Sequence, residues 1–271
     1  MSAPALSDEI RIRLRDDGIA VVPAVLTADE VETIKEALGA AVERAVAKGQ
    51  PLYRDGVDPN DRNVRVLELI GVAPVFEQLV VHPVAQALVA AVLGEHALLS
   101  SFSANIAYPG SGSMGLHSDL MAVLPEPWLA PYGVNVLFYL HDTDEDNGAT
   151  RYLPGSHHFT TGAEASDADL ARTVPIEAPA GSMIAVDGRL WHTSGANRSA
   201  TRDRAVLISF YVAHFIRTQY NWHALLEEGT RARLPATLRA LLGLDEGNMR
   251  VRLDYPAFQG TRLGSDPFAR T

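Results

Sequence analysis

The chain has 271 residues, of which 47% are hydrophobic and 21% charged, so we expect a well-packed core and no wholesale disorder. The formal net charge of −10 argues against a nucleic-acid-binding protein, because such proteins present a basic face to the phosphates. The absence of cysteine excludes disulfides, thiol nucleophiles, iron–sulfur clusters and cysteine-ligated zinc. Any metal must therefore be bound by histidine, aspartate or glutamate.

Targeting and membrane-spanning signals are not evident. The first eight residues already include charges, and no apolar core of a signal peptide follows them. The longest apolar runs, around 84–93 and 205–216, are too short to cross a bilayer. We therefore expect a cytoplasmic protein that acts on a small molecule, without a membrane or nucleic-acid partner, as a monomer or a homodimer.

The first hundred residues have mainly helical patterns. The sequence predicts a helix over 8–17, a short strand over 19–22 and a long helix after Thr27, where the motif TADE forms a capping box with Glu30. Residues 50–63 are polar and rich in turn formers, which indicates a loop. A third helix is predicted over 82–93.

From residue 98 the pattern changes to short strands separated by Gly, Pro, Asn and Asp. Strands are predicted at 98–108, 115–119, 134–141, 149–153, 172–177, 182–186 and 204–213. Helical spacing returns over 222–242, and the tail after Gly243 reads as irregular. The fold class is therefore mainly β with helices (α+β), an antiparallel sandwich or barrel. We expect one domain over 1–271, with a helical part to about 95, a β core over about 96–216, and C-terminal helices and tail over 217–271.

Two motifs resemble known sites but lack their context. Gly110, Gly112 and Gly115 match G-x-G-x-x-G, but no sustained helix follows them, as dinucleotide binding requires. The acidic run 142–146 resembles the start of a calcium loop, but Asn147 and Leu153 occupy the positions that need Gly and Glu. We interpret both segments as turns.

The pair His117 and Asp119 is a stronger candidate. Residues at i and i+2 of a strand point to the same face, so an imidazole and a carboxylate can converge there on one ion. A second histidine, His192, precedes another predicted strand. Two histidines and one carboxylate form the facial triad of non-haem iron(II) oxygenases, although an isolated H-x-D pair is more often a hydrogen-bonded turn.

An arginine twelve residues after His192 supports the metal interpretation. Arg204 opens the apolar strand RAVLISFYV, where a buried guanidinium needs an anionic partner. Its planar fork suits a carboxylate, as a chelating dicarboxylate cosubstrate would offer. Arg202 has the same strand parity, so the sequence leaves both arginines open as the anchor.

Four blocks in this order resemble the phytanoyl-CoA dioxygenase family of iron(II)/2-oxoglutarate oxygenases: GLHSD, DEDNGATRYLPGSHHF, GRLWHTSGANRS and RAVLISFYVAHFIRTQYN. The resemblance implies a double-stranded β-helix (jelly roll, cupin-like) with Fe(II) bound by His117, Asp119 and His192. It further implies that Arg204 binds the distal carboxylate of 2-oxoglutarate with help from Ser194. Thr150 and Asn135, on neighbouring strands, are weaker candidates for cosubstrate binding.

The resemblance also implies a reaction. Iron, 2-oxoglutarate and O2 would hydroxylate an unactivated C–H bond of a small molecule, such as a natural-product intermediate of secondary metabolism, and release succinate and CO2. Related halogenases have a small residue in place of the carboxylate, so Asp119 indicates a hydroxylase, while desaturation or epoxidation could use the same site. Two alternatives remain: a cupin-like metal enzyme (isomerase or hydrolase) that needs no 2-oxoglutarate, and a non-catalytic ligand-binding module.

The substrate pocket is the least determined feature. We expect it to be roofed by residues 50–63, by the apolar run 120–133 acting as a mobile lid, and by the C-terminal helices. Arg54, Arg62 and Arg65 are candidates for contacting an anionic substrate, although loop arginines are commonly solvated.

Overall fold

The computed structural model of the chain describes residues 6–245. Its helices are α1 (Asp8–Asp16), α2 (Ala28–Ala47), α3 (Pro74–Val80), α4 (Pro83–Leu93), α5 (Trp222–Leu225), α6 (Glu228–Arg233) and α7 (Ala236–Leu241). Its strands are β1 (Ile19–Val22), β2 (Asn63–Val66), β3 (Leu98–Ala107), β4 (Gly133–Tyr139), β5 (Thr150–Tyr152), β6 (Val174–Pro175), β7 (Met183–Asp187), β8 (His192–Ser194) and β9 (Arg204–Val212). Most of the irregular tail predicted after Gly243 lies outside the described residues.

Two antiparallel sheets form the centre of the molecule. The larger has the order β1-β7-β4-β9-β3-β2, and the smaller has the order β6-β5-β8. An isolated bridge between His117 and His192 extends the smaller sheet by one residue. From β4 onward the chain passes repeatedly between the two sheets, which matches the antiparallel sandwich or barrel expected from the sequence.

The larger sheet has two different faces because side chains alternate along each strand. Phe102, Val136 and Leu207 belong to one face and pack in the main core with the helices. Leu137 and Val206 belong to the other face, in a second core cluster near the smaller sheet. This second face, between the two sheets, is where the candidate site lies.

The N-terminal part contains the predicted helices α1, α2 and α4 and the predicted strand β1, and it adds the strand β2. Thr27 and Glu30 form the capping box at the start of α2, and α2 buries Val31, Ile34 and Leu38. The predicted strand β1 pairs with β7, while β2, which the sequence did not predict, pairs with β3 at the sheet edge. The N-terminal part therefore supplies both edge strands of the larger sheet.

Residues 74–93 are apolar and long enough to cross a membrane by composition, with a mean hydropathy of 1.5. In the structure they form two helices, because α3 ends at Val80 and α4 begins at Pro83. Phe76 and Leu88 are fully buried in the main core. The sequence predicted α4 but not α3.

The predicted strand at 115–119 was wrong. His117 forms only an isolated bridge, and a short 3-10 helix begins at Asp119. Ser118 causes this change, because its hydroxyl accepts from the Leu120 amide and donates to the Gly188 carbonyl, which turns the chain. The predicted C-terminal helix over 222–242 is also broken, into α5, α6 and α7, and Pro235 directly precedes the last of these.

Candidate active site

His117, Asp119 and His192 come together between the two sheets. One ligand atom from each side chain lies within 4.8 Å of the other two, and among residues 6–245 no other group of three or more such side chains is close enough to bind a metal. His192 Nε2 lies 3.6 Å from Asp119 Oδ2, and the two imidazole rings are 4.6 Å apart. His192 is the first residue of β8, and His117 is paired with it by an isolated β-bridge. This backbone pairing places the two rings side by side.

Backbone carbonyls orient both imidazoles. His117 Nδ1 lies 3.0 Å from the Gly115 carbonyl, and His192 Nδ1 lies 2.9 Å from the Leu190 carbonyl. Because a carbonyl can only accept, each Nδ1 carries the proton and each Nε2 keeps a lone pair. This outer contact is the arrangement that fixes the tautomer of metal-binding histidines.

The surroundings of His117 also favour the protonation state in which it can bind a metal ion. Burial lowers the pKa of His117, and the neighbouring His192 lowers it further, while Asp119 opposes the shift. The neutral imidazole, which is the metal-binding form, is therefore the stable form at neutral pH.

Asn135 contacts the carboxylate of the triad. Its side-chain amide, on β4 and 3% exposed, donates to Asp119 Oδ2. Asn135 was predicted as a contact of the cosubstrate, whereas here its amide is bonded to a triad residue. This bond fixes the carboxylate in one orientation toward the histidines.

Arg204 is the most buried charged side chain near the triad, at 1% exposure. Its guanidinium donates to the Gly148 carbonyl over 2.9 Å, to Asn105 Oδ1 over 2.8 Å, and to the Ser194 hydroxyl. Burial lowers its pKa to about 10. No carboxylate of residues 6–245 forms an ion pair with it, so a buried cation lacks an anionic partner.

Arg202, the alternative anchor, lies elsewhere. Its guanidinium pairs with Asp144 over 2.7 Å and with Asp146 over 3.0 Å, on the molecular surface. These ion pairs neutralise part of the acidic turn that resembled a calcium loop. Arg202 precedes β9, which begins only at Arg204, so the shared strand parity assumed from the sequence does not apply.

One cavity of about 310 Å³ contains the triad and Arg204. Ser194, Thr150 and Asn135 also line it, so the structure brings together all the residues predicted to bind the metal or the cosubstrate. Of the three arginines predicted to contact a substrate, Arg54 and Arg65 line the cavity and Arg62 does not. Ser194 and Thr150 face each other across the β5–β8 ladder. Sequence reasoning missed three polar residues on β3 that line the same wall: Ser101, Ser103 and Asn105.

The mouth of the cavity differs from the expected one. Arg54 and Val57 from the loop 50–63 and Gln219 and Tyr220 after β9 line it. No residue of 120–133 or of the C-terminal helices does, so that part of the prediction was wrong. Trp128 anchors the run 120–133, because its fully buried side chain clusters with Phe210 and Val212 and its backbone amide donates to the Thr160 carbonyl over 2.7 Å.

The donor set fits a ferrous ion with a 2-oxoglutarate cosubstrate. Two neutral imidazoles and one carboxylate on one side leave the remaining coordination positions open, which is the geometry of non-haem iron(II) sites. Arg204, buried in the same cavity and without a carboxylate partner in the described part of the chain, fits the distal carboxylate of a dicarboxylate.

The comparison with protein families agrees with this geometry. Residues 14–206 match the profile of the family described as phytanoyl-CoA dioxygenase (PhyH). The chain belongs to the phytanoyl-CoA dioxygenase family. The matched region runs from α1 into the start of β9 and includes the triad and Arg204, so the family predicted from the sequence is confirmed.

The curated relatives include fungal dioxygenases. The chain is 39% identical over 261 residues to the dioxygenase af480 of Aspergillus fumigatus, covering 94% of this chain and 84% of the relative. It is 28% identical over 250 residues to the dioxygenase FUM3 of Gibberella moniliformis, covering 87% and 82%. Curated dioxygenases therefore match this chain over most of its length.

Solved structures share the fold. SnoK, a non-haem α-ketoglutarate-dependent carbocyclase from nogalamycin biosynthesis, superposes with a TM-score of 0.67 at 22% identity, covering 87% of this chain and 93% of that one. HygX from Streptomyces hygroscopicus, solved with nickel and 2-oxoglutarate bound, superposes with a TM-score of 0.62 at 20% identity, covering 79% and 90%. These likenesses confirm the double-stranded β-helix.

Proposed function

We propose that this member of the family is an iron(II)/2-oxoglutarate-dependent hydroxylase of a small natural-product intermediate. The overall reaction is R–H + 2-oxoglutarate + O2 → R–OH + succinate + CO2. One oxygen atom enters the new alcohol and the other enters succinate, so atoms and electrons balance without a further reductant.

The observation that carries this proposal is the burial of Arg204 in the cavity of the triad. A guanidinium that is 1% exposed and has no carboxylate partner among the described residues is costly unless an anion joins it. A cupin-like isomerase or hydrolase without a cosubstrate has no use for such a charge. A dicarboxylate that chelates the metal at one end and pairs with Arg204 at the other satisfies both features.

Each side chain then has a defined part. When bound, the iron supplies the oxidation of the C–H bond by O2. His117, His192 and Asp119 hold it, and Asn135 keeps the carboxylate of Asp119 aligned. Since Asp119 occupies a coordination position that a halide would need, hydroxylation is favoured over halogenation.

Two observations support a natural-product substrate. The structural neighbours SnoK and SnoN, a carbocyclase and an epimerase, both come from nogalamycin biosynthesis. In this chain one wall of the cavity is apolar, formed by Val206, Ile208 and Phe210 on β9. Such a wall suits the carbon skeleton of a small organic molecule.

The proposal is tested with the purified chain under anaerobic conditions. Fe(II) with 2-oxoglutarate should produce a weak visible charge-transfer band, and admission of O2 should release succinate. Asp119→Ala should abolish both signals. If iron binds and the band does not appear, the chelate of metal and 2-oxoglutarate is contradicted. If the band and succinate release are both observed, a screen of candidate compounds for faster succinate release identifies the substrate.

A further inference from the structure

Arg54 stands at the mouth of the cavity with an unpaired charge. Its side chain lines the same cavity as the triad, and its backbone amide donates to Asp58 Oδ2 over 2.9 Å, which fixes this part of the loop. No carboxylate of the described chain lies within 4.0 Å of its guanidinium. Arg54 is therefore free to bind an anion in the cavity.

The neighbouring Arg65 provides the contrast. It lines the same cavity, but its Nη2 pairs with Asp58 Oδ1 over 2.7 Å. The Asp58 side chain has no exposed area, so this pair is shielded from water and persistent. Arg65 therefore has a counter-ion within the protein, whereas Arg54 has none among residues 6–245.

Charge counting shows what remains once the site is loaded. The fully charged side chains that line the cavity are Arg54, Arg65, Arg204 and Asp119. In the proposed complex the 2-oxoglutarate dianion binds the ferrous ion and Arg204, Asp119 binds the ion, and Asp58 pairs with Arg65. Together these groups carry no net charge. The single positive charge of Arg54 is left over, in a chain whose net charge is −10.

Part of the cavity lining is apolar, beside the polar residues of β3, β5 and β8. Val57, 48% exposed, lies at the mouth beside Arg54, and Leu67 and Met114 line the cavity as well. Apolar side chains from β4 and β9 continue the wall: Leu137, Val206, Ile208 and Phe210. A ligand with an apolar body and one charged end matches this lining.

We infer that the substrate is an amphipathic monoanion, a carboxylate whose charged end binds Arg54 while its apolar carbon chain extends toward the metal. This inference rests on the proposed function and adds the substrate class and the residue that selects it. A carboxylate matches the one residual charge of the loaded cavity and the planar fork of the guanidinium. Arg54 is thus a specificity-determining residue.

The test compares an acid with its neutral ester. Octanoate and methyl octanoate are titrated by calorimetry into the anaerobic chain loaded with Fe(II) and saturating 2-oxoglutarate, so that Arg204 is already occupied. Octanoate should bind more tightly than the ester, and increasing salt should reduce this preference. Arg54→Gln should reduce the affinity for octanoate by about 5-fold, the scale of one partly exposed ion pair, and leave the affinity for the ester unchanged.

Arg62→Gln is the matched control. Arg62 belongs to the same loop and is exposed, but it does not line the cavity, so its loss changes the net charge equally without changing octanoate binding. Arg54→Glu should reverse the preference and favour octylamine over octanoate. Equal affinity for acid and ester, no binding of octanoate, or equal effects of the two Gln variants would overturn the inference. Failure of 2-oxoglutarate to bind would instead contradict the proposed function.

Discussion

Asn105 holds Arg204 in place. Its Oδ1 accepts a hydrogen bond from Arg204 Nη1 over 2.8 Å, while its Nδ2 donates to Asn63 Oδ1. Asn63 in turn donates to the Ser111 hydroxyl over 3.2 Å. Both asparagines are almost completely buried, so a polar chain runs from Ser111, in the loop after β3, through Asn63 and Asn105 to the guanidinium and fixes its direction.

Replacing Asn105 by Ala should therefore weaken 2-oxoglutarate binding. Loss of a hydrogen bond to a buried charged group costs about 1.5–3 kcal/mol, which corresponds to roughly 10- to 100-fold in affinity. The affinity is measured by titrating 2-oxoglutarate into the anaerobic Fe(II) protein and recording the visible band. Asn63→Ala should have a smaller effect, because Arg204 then keeps all its partners. Unchanged 2-oxoglutarate affinity in the Asn105 variant would show that the hydrogen bond from Arg204 to Asn105 does not contribute to cosubstrate binding.

The two candidate anchors can be separated directly. Arg204→Met should reduce 2-oxoglutarate affinity by about 30-fold or more, the scale expected when one partner of a buried charge pair is removed, and should spare Fe(II) binding. Arg202→Gln should leave that affinity unchanged, because Arg202 pairs with Asp144 and Asp146 on the surface. Calorimetric titration of metal and cosubstrate separately distinguishes the two outcomes. The reverse pattern would contradict the assignment of Arg204.

Asn135 should affect the affinity for Fe(II) as well as the affinity for 2-oxoglutarate. Because its amide donates to Asp119, Asn135→Ala frees the carboxylate to rotate, and loss of such an outer contact typically costs 10- to 100-fold in metal affinity or activity. Fe(II) affinity of the chain without 2-oxoglutarate is the direct measurement. Thr150→Val is the matched control, since Thr150 lines the same cavity but makes no bond to the triad. Equal effects of the two variants would argue against this part for Asn135.

The sequence predicted the members of the site better than their local structure. His117 and Asp119 were grouped because alternate residues of a strand share a face. They do converge, but through one bridge residue and a 3-10 turn that Ser118 initiates. Short elements of this kind are set by tertiary contacts, and a pattern of one or two residues cannot reveal them. The same applies to β8, which is three residues long and gains its partners only from β5 and His117.

Other parts of the site had a signal in the sequence. Ser101, Ser103 and Asn105 alternate with Phe102 and Ala104 along β3, which is the period of a strand with one polar face. That alternation marks the cavity wall. By contrast, residues 50–63 line the mouth and residues 120–133 do not. The run 120–133 is anchored by the fully buried Trp128, while Leu124 and Leu129 are each 79% exposed, and its apolar composition does not show where such a segment lies.

His157 should make the folded chain sensitive to acid. It is 2% exposed, and neither ring nitrogen has a hydrogen-bond partner among the described residues. Burial lowers its pKa, and the adjacent His158, with ring centroids 3.9 Å apart, lowers it further. The folded state therefore retains neutral His157 at a pH where the unfolded chain, with an ordinary histidine pKa of about 6.5, is already protonated.

The neutral His157 therefore contributes fully to the free energy of unfolding above the unfolded pKa. This contribution is lost as the pH falls from about 6.5 toward the lowered pKa of the folded state. For one proton the slope is at most about 1.4 kcal/mol per pH unit. His157→Phe keeps a ring in this position, against Gly18, and removes the titrating group, so its free energy of unfolding should decrease less between pH 7.5 and 5.5. Urea denaturation at several pH values measures this difference. His223→Gln, an exposed position on α5, controls for the loss of a histidine, and parallel pH profiles for wild type and His157→Phe would exclude His157 as the source.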